Sequence, residues 1–184
     1  MNRRELFAAM AALGVTGLAL RPGEALADEA TDARDLWLYG LPIIEMATTR
    51  ARHLGEGMTL NRLRHARTLS DHTARSVTTP NNDTLYSMAW IDLTQGPVTL
   101  TVPATGDRYW SAALMDMYSN NNVVLGLRTT GGKGGRYTIV GPGQTGGGPD
   151  VLRCETPHGW LLVRTLTDGG ADLPATHSIQ DGFR

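Results

Sequence analysis

A mainly β domain of the α+β class is the fold this sequence predicts: an antiparallel β-sandwich or partly open barrel, flanked by an N-terminal helix and a short C-terminal helix. Three observations carry that expectation. Six or seven short apolar runs follow Asp83, each closed by a turn signal. The 22 glycines and 9 prolines fall mostly after Gly40, where they punctuate those runs. An apolar spacing of 3.6 residues marks the stretch from Glu29 to about His53, and Asp172 can cap a short helix near the chain end.

Residues 1–27 read as an export signal rather than as part of the fold. Arg3-Arg4 precede a short apolar run from Leu6 to Leu20, and Ala25-Leu26-Ala27 supply a small-x-small cleavage site. The run is too short to span a bilayer, which takes about 20 apolar residues. The paired arginines, the modest hydrophobicity and Arg21 favour the twin-arginine type over an ordinary secretory signal. Cleavage would make Asp28 the first mature residue, leaving a periplasmic or secreted domain over residues 28–184 with no membrane span.

From Glu29 to His53 the pattern is helical, giving a helical segment over residues 29–54. Leu36, Tyr39 and Ile43 share one face, and Trp37, Leu41 and Ile44 widen it. Gly40 and Pro42 predict a kink or break near Leu41, and Gly55-Glu56-Gly57 ends the helix. Met58 to Val77 is polar and reads as mostly irregular. Strands follow at Thr84–Leu93, Val98–Val102, Arg108–Tyr118, Val123–Leu127, Arg136–Val140, Val151–Glu155 and Trp160–Leu166. Asn120-Asn121-Asn122 reads as a turn, and Gly131 to Gly135 as a flexible hairpin loop that lacks phosphate-loop spacing. Asp172 begins a last short helix through Ile179, with Pro174 tolerated in its first turn.

The organising stretch is Thr78-Thr79-Pro80-Asn81-Asn82-Asp83, which feeds directly into the strand at Thr84. Pro80 fixes its own φ and holds Thr79 extended, while Asn81, Asn82 and Asp83 can bond back to nearby amides. A polar corner beside a rigid strand is a place where sites are built, and it is equally a structural brace. Asn81, Asn82 and Tyr86 are therefore candidate ligand-binding residues, with Arg108 and Arg136 as candidate anion contacts. Asp83, Asp116 and His72 are the candidate acid/base groups. Asp116 falls inside an apolar strand, so it must be paired, hydrogen-bonded or at a mouth.

Between Arg50 and Arg75 lie six arginines and three histidines against only Glu56 and Asp71. This asymmetry suits a solvated loop or an anion-binding rim. The whole chain carries a formal charge of −1, which gives no general attraction to nucleic acid or anionic membrane. Its single cysteine, Cys154, cannot form an intrachain disulfide and reads as a small buried apolar residue. His53, His65 and His72 lack metal-ligand spacing, so no metal site is predicted. No residue pattern names a cofactor.

Four stretches carry a family resemblance. Thr79-Pro80-Asn81-Asn82-Asp83-Thr84-Leu85-Tyr86-Ser87 is similar to the signature of the bacterial domain of unknown function 1254. Gly106 to Trp110 with Leu114 to Tyr118, Gly135 to Tyr137 with Val140 to Gly143, and Trp160 to Thr165 resemble it in the same order. The resemblance implies an exported β-rich domain with no assigned reaction, commonly followed by a second β-rich domain, and this sequence stops where that connection would begin. Three functions compete. The first is a module that binds a small ligand, an anion among the candidates, or acts with a second β domain. The second is a hydrolase or lyase using Asp83, Asp116 and His72 with an arginine anion site. The third is the structural half of a two-domain scaffold. The partner expected is that second domain or a second copy, meeting an apolar surface around Trp160, Leu162, Leu166, Ile179 and Phe183.

Overall fold

The computed structural model describes residues 22–74 and 81–184. Most of the export-signal reading, and the Thr78-Thr79-Pro80 half of the corner, lie outside the described residues. Two compact units divide between Leu41 and Pro42. The described part of the first is helical, and Leu36, Trp37, Leu38 and Tyr39 in it are exposed.

Helix α1 spans Pro22–Gly55, beginning ahead of Asp28 and continuing through Pro42, so of the expected kink or break the break does not occur. Proline removes one backbone bond, and the residues after it (Glu45, Met46, Ala47, Arg50, Ala51) are good helix formers that hold the following turns. Among the described residues, no helix is long and apolar enough to cross a membrane.

The second unit is a two-sheet sandwich. Strands β1 (Arg64–His65), β2 (Thr84–Asp92), β3 (Val98–Val102), β4 (Trp110–Asp116) and β5 (Asn121–Gly126) precede the single-turn helix α2 (Leu127–Thr130). Strands β6 (Gly135–Val140), β7 (Val151–Arg153) and β8 (His158–Leu166) follow, then helix α3 (Leu173–Gly182). One sheet has the order β1-β2-β8-β4-β5 and the other β3-β6-β7. All pairs are antiparallel except β6 with β7, which run parallel.

Alternation builds the core. Along β4, Trp110, Ala112, Leu114 and Asp116 are buried while Ser111, Ala113 and Met115 are half-buried. Ala89, Ile91, Leu161 and Val163 from the larger sheet face Leu100, Val102, Ile139 and Leu152 from the smaller, and Phe183 closes the layer. Phe183 stands 5.5 Å from Trp110, ring to ring, so it belongs to the core rather than to an exposed apolar surface. Of the residues expected at such a surface, Leu166 alone is exposed; Trp160 stacks on Trp90 at 5.1 Å. Cys154 is buried, and burial pushes its thiol pKa up.

The stretch Gly131 to Gly135 is not a hairpin. It carries the chain from β5 in one sheet to β6 in the other. Its Gly132 carbonyl accepts from the amides of Thr105 and Gly106. A Cβ at Gly132 would meet the Gly106 carbonyl oxygen at 2.0 Å, so glycine is required for this close approach. Asn121 and Asn122, read as turn residues, begin β5, because the Asp116 carboxylate makes the turn one step earlier.

On the outer face of the larger sheet, Met46 and Met58 pack with Trp90. The Trp90 indole N–H donates to His53 Nδ1 at 3.1 Å, which requires that nitrogen to be unprotonated. Burial, followed by Arg52, lowers the His53 pKa. A folded pKa below the unfolded value means that His53 favours the folded state above the unfolded pKa of about 6.5. That contribution is lost as pH falls from there through the lower folded value. Urea melts followed by tryptophan emission should therefore show stability declining as pH falls below about 6.5, with His53→Gln flattening that slope. An unchanged slope in His53→Gln would assign the decline to other groups.

Candidate functional site

The sequence-predicted residues do not share one site. Asn81 is the brace of the corner: its side-chain oxygen accepts from the Asp83 amide at 2.9 Å and the Thr84 amide at 3.0 Å. Asn82 and Asp83 are exposed, and Asp83 contributes its carbonyl, to the Thr167 amide. Asn81→Ala is accordingly expected to cost about 1 kcal/mol in a denaturant melt, with Asn82→Ala close to neutral.

Asp116 is 2% exposed and fully engaged. It accepts from the Tyr118 amide at 2.8 Å, the Asn120 amide at 3.0 Å and the side-chain amides of Asn120 and Asn122 at 3.2 and 3.0 Å. Burial raises its pKa, but these bonds outweigh burial and leave it below the usual carboxylate range. In the β8 register, Asp116 lies opposite Gly159 and Thr84 opposite Leu166. That offset is roughly 23 Å at about 3.3 Å per residue, so Asp83 and Asp116 cannot act on one substrate bond. His72 is exposed on the turn that ends at Ala74.

Arg108 grips Asp172 with both terminal nitrogens and also donates to the Leu166 carbonyl at 2.8 Å and to Thr176 Oγ1 at 3.2 Å. Its hydrogen bonds hold the Asp172 carboxyl well below the usual range. This clasp ties the end of β8 to the start of α3. Arg136 is exposed on β6. Tyr86 is half-buried, with its hydroxyl accepting from Arg164 Nε at 3.3 Å and the guanidinium carbon 5.2 Å from its ring centre. Among the described residues, no group of three or more His, Cys, Asp or Glu side chains could hold a metal ion.

What the fold does bring together lies elsewhere, in a cleft of about 350 Å³ between the two sheets. Ala89, Ile91 and Leu161 of the larger sheet and Leu100 and Ile139 of the smaller form its apolar floor. Asn61, Arg62, His65, Asp181 and Arg184 bring polar groups to it. Asn61 has φ 57 and clasps Asp92, donating to its carbonyl at 3.0 Å and accepting from its amide at 2.8 Å. This fixes the chain leading to Arg62. Arginine and histidine at β1 are not good strand formers; long-range pairing with Met88 and Ser87 holds them there.

Behind the cleft sits a buried relay. Gln180 Nε2 donates to Ser87 Oγ at 3.1 Å, and Ser87 Oγ lies 2.7 Å from His65 Nδ1. Gln180 also donates to the Ala66 and Tyr86 carbonyls and accepts from Arg67. Among the described residues the buried Ser87 hydroxyl proton meets no acceptor other than His65 Nδ1, so the hydroxyl donates there and the ring proton resides on Nε2. Burial, then Arg67, lowers the His65 pKa against the pull of Asp181, which makes this histidine a neutral donor at neutral pH. Ser87 is itself fully buried, so it orients the ring and is not placed to attack a substrate.

A family model described as a protein of unknown function (DUF1254) matches residues 60–184, and this span contains every residue of the cleft. The chain belongs to the DUF1254 family. A crystal structure of a Vibrio parahaemolyticus protein is similar to the chain, with a TM-score of 0.68 and 26% identity, over 82% of the chain and 36% of that protein. The DUF1254 chain thus spans about a third of the length of that relative. A Burkholderia cenocepacia protein, described as uncharacterised, aligns with a TM-score of 0.42 and 13% identity, over 58% of the chain and 31% of that protein. No curated protein matches.

The arginine-rich stretch suited a solvated loop or an anion-binding rim by sequence; of it, Arg62 and His65 line the cleft. Arg64 instead pairs with Glu56 and Arg67 with Asp181. Ser87, Gln180 and Arg184 carried no local signal, because their placement depends on contacts more than 80 residues away in sequence or on sheet pairing.

Proposed function

We propose that this DUF1254 domain is an exported binding module whose site is the cleft between its sheets. Its ligand places an apolar group on the floor and an anionic group near Arg62. The observation that supports this most is a hollow between the two sheets, floored by apolar side chains and bordered by two arginines and an oriented histidine donor. A small apolar anion fits that chemistry. Anilinonaphthalene sulfonate, which has such a body and charge, is the probe for the test. One saturable site is expected, weakened about fivefold by Arg62→Ala and abolished by Ala89→Phe, which fills the floor. Titrations that neither substitution changes would place the dye elsewhere and overturn the reading.

Export rests on Arg3-Arg4 and the apolar run behind them. Replacing both by lysine should stop periplasmic accumulation through the twin-arginine route, whereas undiminished export would point to the ordinary secretory pathway.

A further inference from the structure

The outer face of the larger sheet carries a second hollow. Along β4 and β8, Trp110, Ala112, Leu161 and Val163 point into the sandwich, so Ser111, Ala113, Leu162 and Arg164 point out. Four outward positions stand side by side across the sheet: Tyr86 opposite Arg164, Arg164 opposite Ser111, and Ser111 opposite Gly126. Serine and glycine there, with Ala113 at the next level, leave a trough of about 360 Å³ beside Arg164. Gly126 is fixed in place, because a Cβ would meet the Trp110 carbonyl oxygen at 2.7 Å.

Arg164 is half-buried against Tyr86, through the ring contact and the Nε bond described above. Its two terminal nitrogens have no partner among the described residues, whereas Arg64, Arg67 and Arg108 each hold a carboxylate. The Ser111 hydroxyl is likewise unpaired among the described residues, as is Arg128 on helix α2, which walls the trough. Threonines brace that wall: Thr129 Oγ1 accepts from the Gly126 amide at 2.9 Å, and Thr130 Oγ1 donates to the Gly126 carbonyl at 3.0 Å. Among the described residues, no Asp or Glu lines the trough. Half-burying a cation without a counter-charge is unfavourable. Two guanidinium forks flanking a hydroxyl match the oxygens of a dianion.

We propose that this trough is a second binding site, one that takes the phosphate of a small soluble phosphate monoester. Arg164 and Arg128 hold the phosphate from two sides, the Ser111 hydroxyl donates to it between them, and the organic part lies along Ala113, Leu162 and Val124. Two guanidinium charges balance the charge of about −1.5 to −2 that such a phosphate carries at neutral pH. The neighbouring surface favours a soluble ester over a lipid headgroup. Asp107 and Asp168 are exposed beside Tyr109 and Leu166, just outside the trough, where they would repel an anionic bilayer. The site is separate from the cleft, which lies on the inner face of the same sheet.

The test is amide chemical-shift mapping and thermal melting of the folded protein with phenyl phosphate at constant ionic strength. Saturable shifts are expected at Ser111 and from Gly126 to Thr129, with a melting temperature that rises with ligand. Arg164→Gln should weaken binding about tenfold and Arg128→Gln about fivefold. Arg164→Lys should fall between wild type and Arg164→Gln, because it keeps the charge and loses the fork. Ser111→Ala, expected to cost about threefold, serves where Arg164→Gln fails to fold. Inorganic phosphate should bind about tenfold more weakly, since it lacks the body that covers the floor; equal affinity would overturn the monoester and leave a bare anion site. Shifts that stay linear with concentration, or that ignore Arg164→Gln, Arg128→Gln and Ser111→Ala alike, overturn the site altogether. Binding to phosphatidate vesicles that Arg164→Gln abolishes would overturn the soluble ligand and give the trough to a membrane surface. Phenyl phosphate should leave anilinonaphthalene sulfonate bound in the cleft; displacement of the dye would place the phosphate there and overturn the second site.

Discussion

Asp116→Ala should destabilise the domain by about 2–5 kcal/mol, because it removes the hydrogen bonds that the part-buried amides of Tyr118 and Asn120 make to a charged carboxylate, at about 1–3 kcal/mol each. It also releases the side chains of Asn120 and Asn122 and the turn that holds Ser119 at φ 65. Such a loss takes a large share of the stability of a typical domain. The pH dependence follows from the same bonds. They leave the folded pKa of Asp116 below its unfolded value of about 3.9, so the unfolded chain binds the proton more readily. Its stabilisation is present above the unfolded pKa and is lost as pH falls through the folded one. Asp116→Asn should flatten the acid limb of the stability profile while melting earlier at neutral pH. A variant that folds normally but loses binding would instead restore Asp116 as a site residue.

The second large effect is expected at Gln180. Its amide serves the Ala66 and Tyr86 carbonyls and the Ser87 hydroxyl, and its oxygen accepts from Arg67. Leucine has a similar volume and none of these bonds, so Gln180→Leu removes the two amide hydrogens that these acceptors share and one acceptor of Arg67, while the Tyr86 carbonyl keeps the Ala66 amide and Arg67 keeps Asp181, for a loss of about 1–3 kcal/mol. Ser87 would then be free to reverse its hydrogen bond, and His65 would no longer be fixed as the Nε2–H tautomer. Nitrogen-detected NMR of the His65 ring should show a single tautomer in the wild-type protein and a mixture in the variant. A purely packing role for Gln180 would lower stability and leave the ring spectrum unchanged.

The parts of this fold that depend on near neighbours were legible from residues alone. The period-2 run at Val98–Val102 is a strand, the corner before Thr84 is braced by an Asx side chain, and Asp116 required hydrogen bonds because of the apolar run around it. What distant partners decide was not. Asn81, rather than Asn82 or Asp83, proved to be the brace because only its side-chain oxygen reaches the amides that start β2. Arg108 suited an anion site by type, but Asp172 already fills that role. β1 is two residues of arginine and histidine, a composition no strand pattern would single out. The cleft arises where two sheets built from interleaved segments fail to close, and neither sheet order nor the Thr101–Arg184 pairing is written in any local pattern.

The cleft as the binding site is tested most directly by amide chemical-shift mapping of the folded domain titrated with anilinonaphthalene sulfonate. The largest shifts should fall at Ala89, Leu100, Leu161 and Arg62, together with the His65 ring, and should saturate with a single dissociation constant. Shifts confined to Asn81–Tyr86, Arg108 and Arg136, with the cleft amides unmoved, would contradict this reading and return the site to the polar corner.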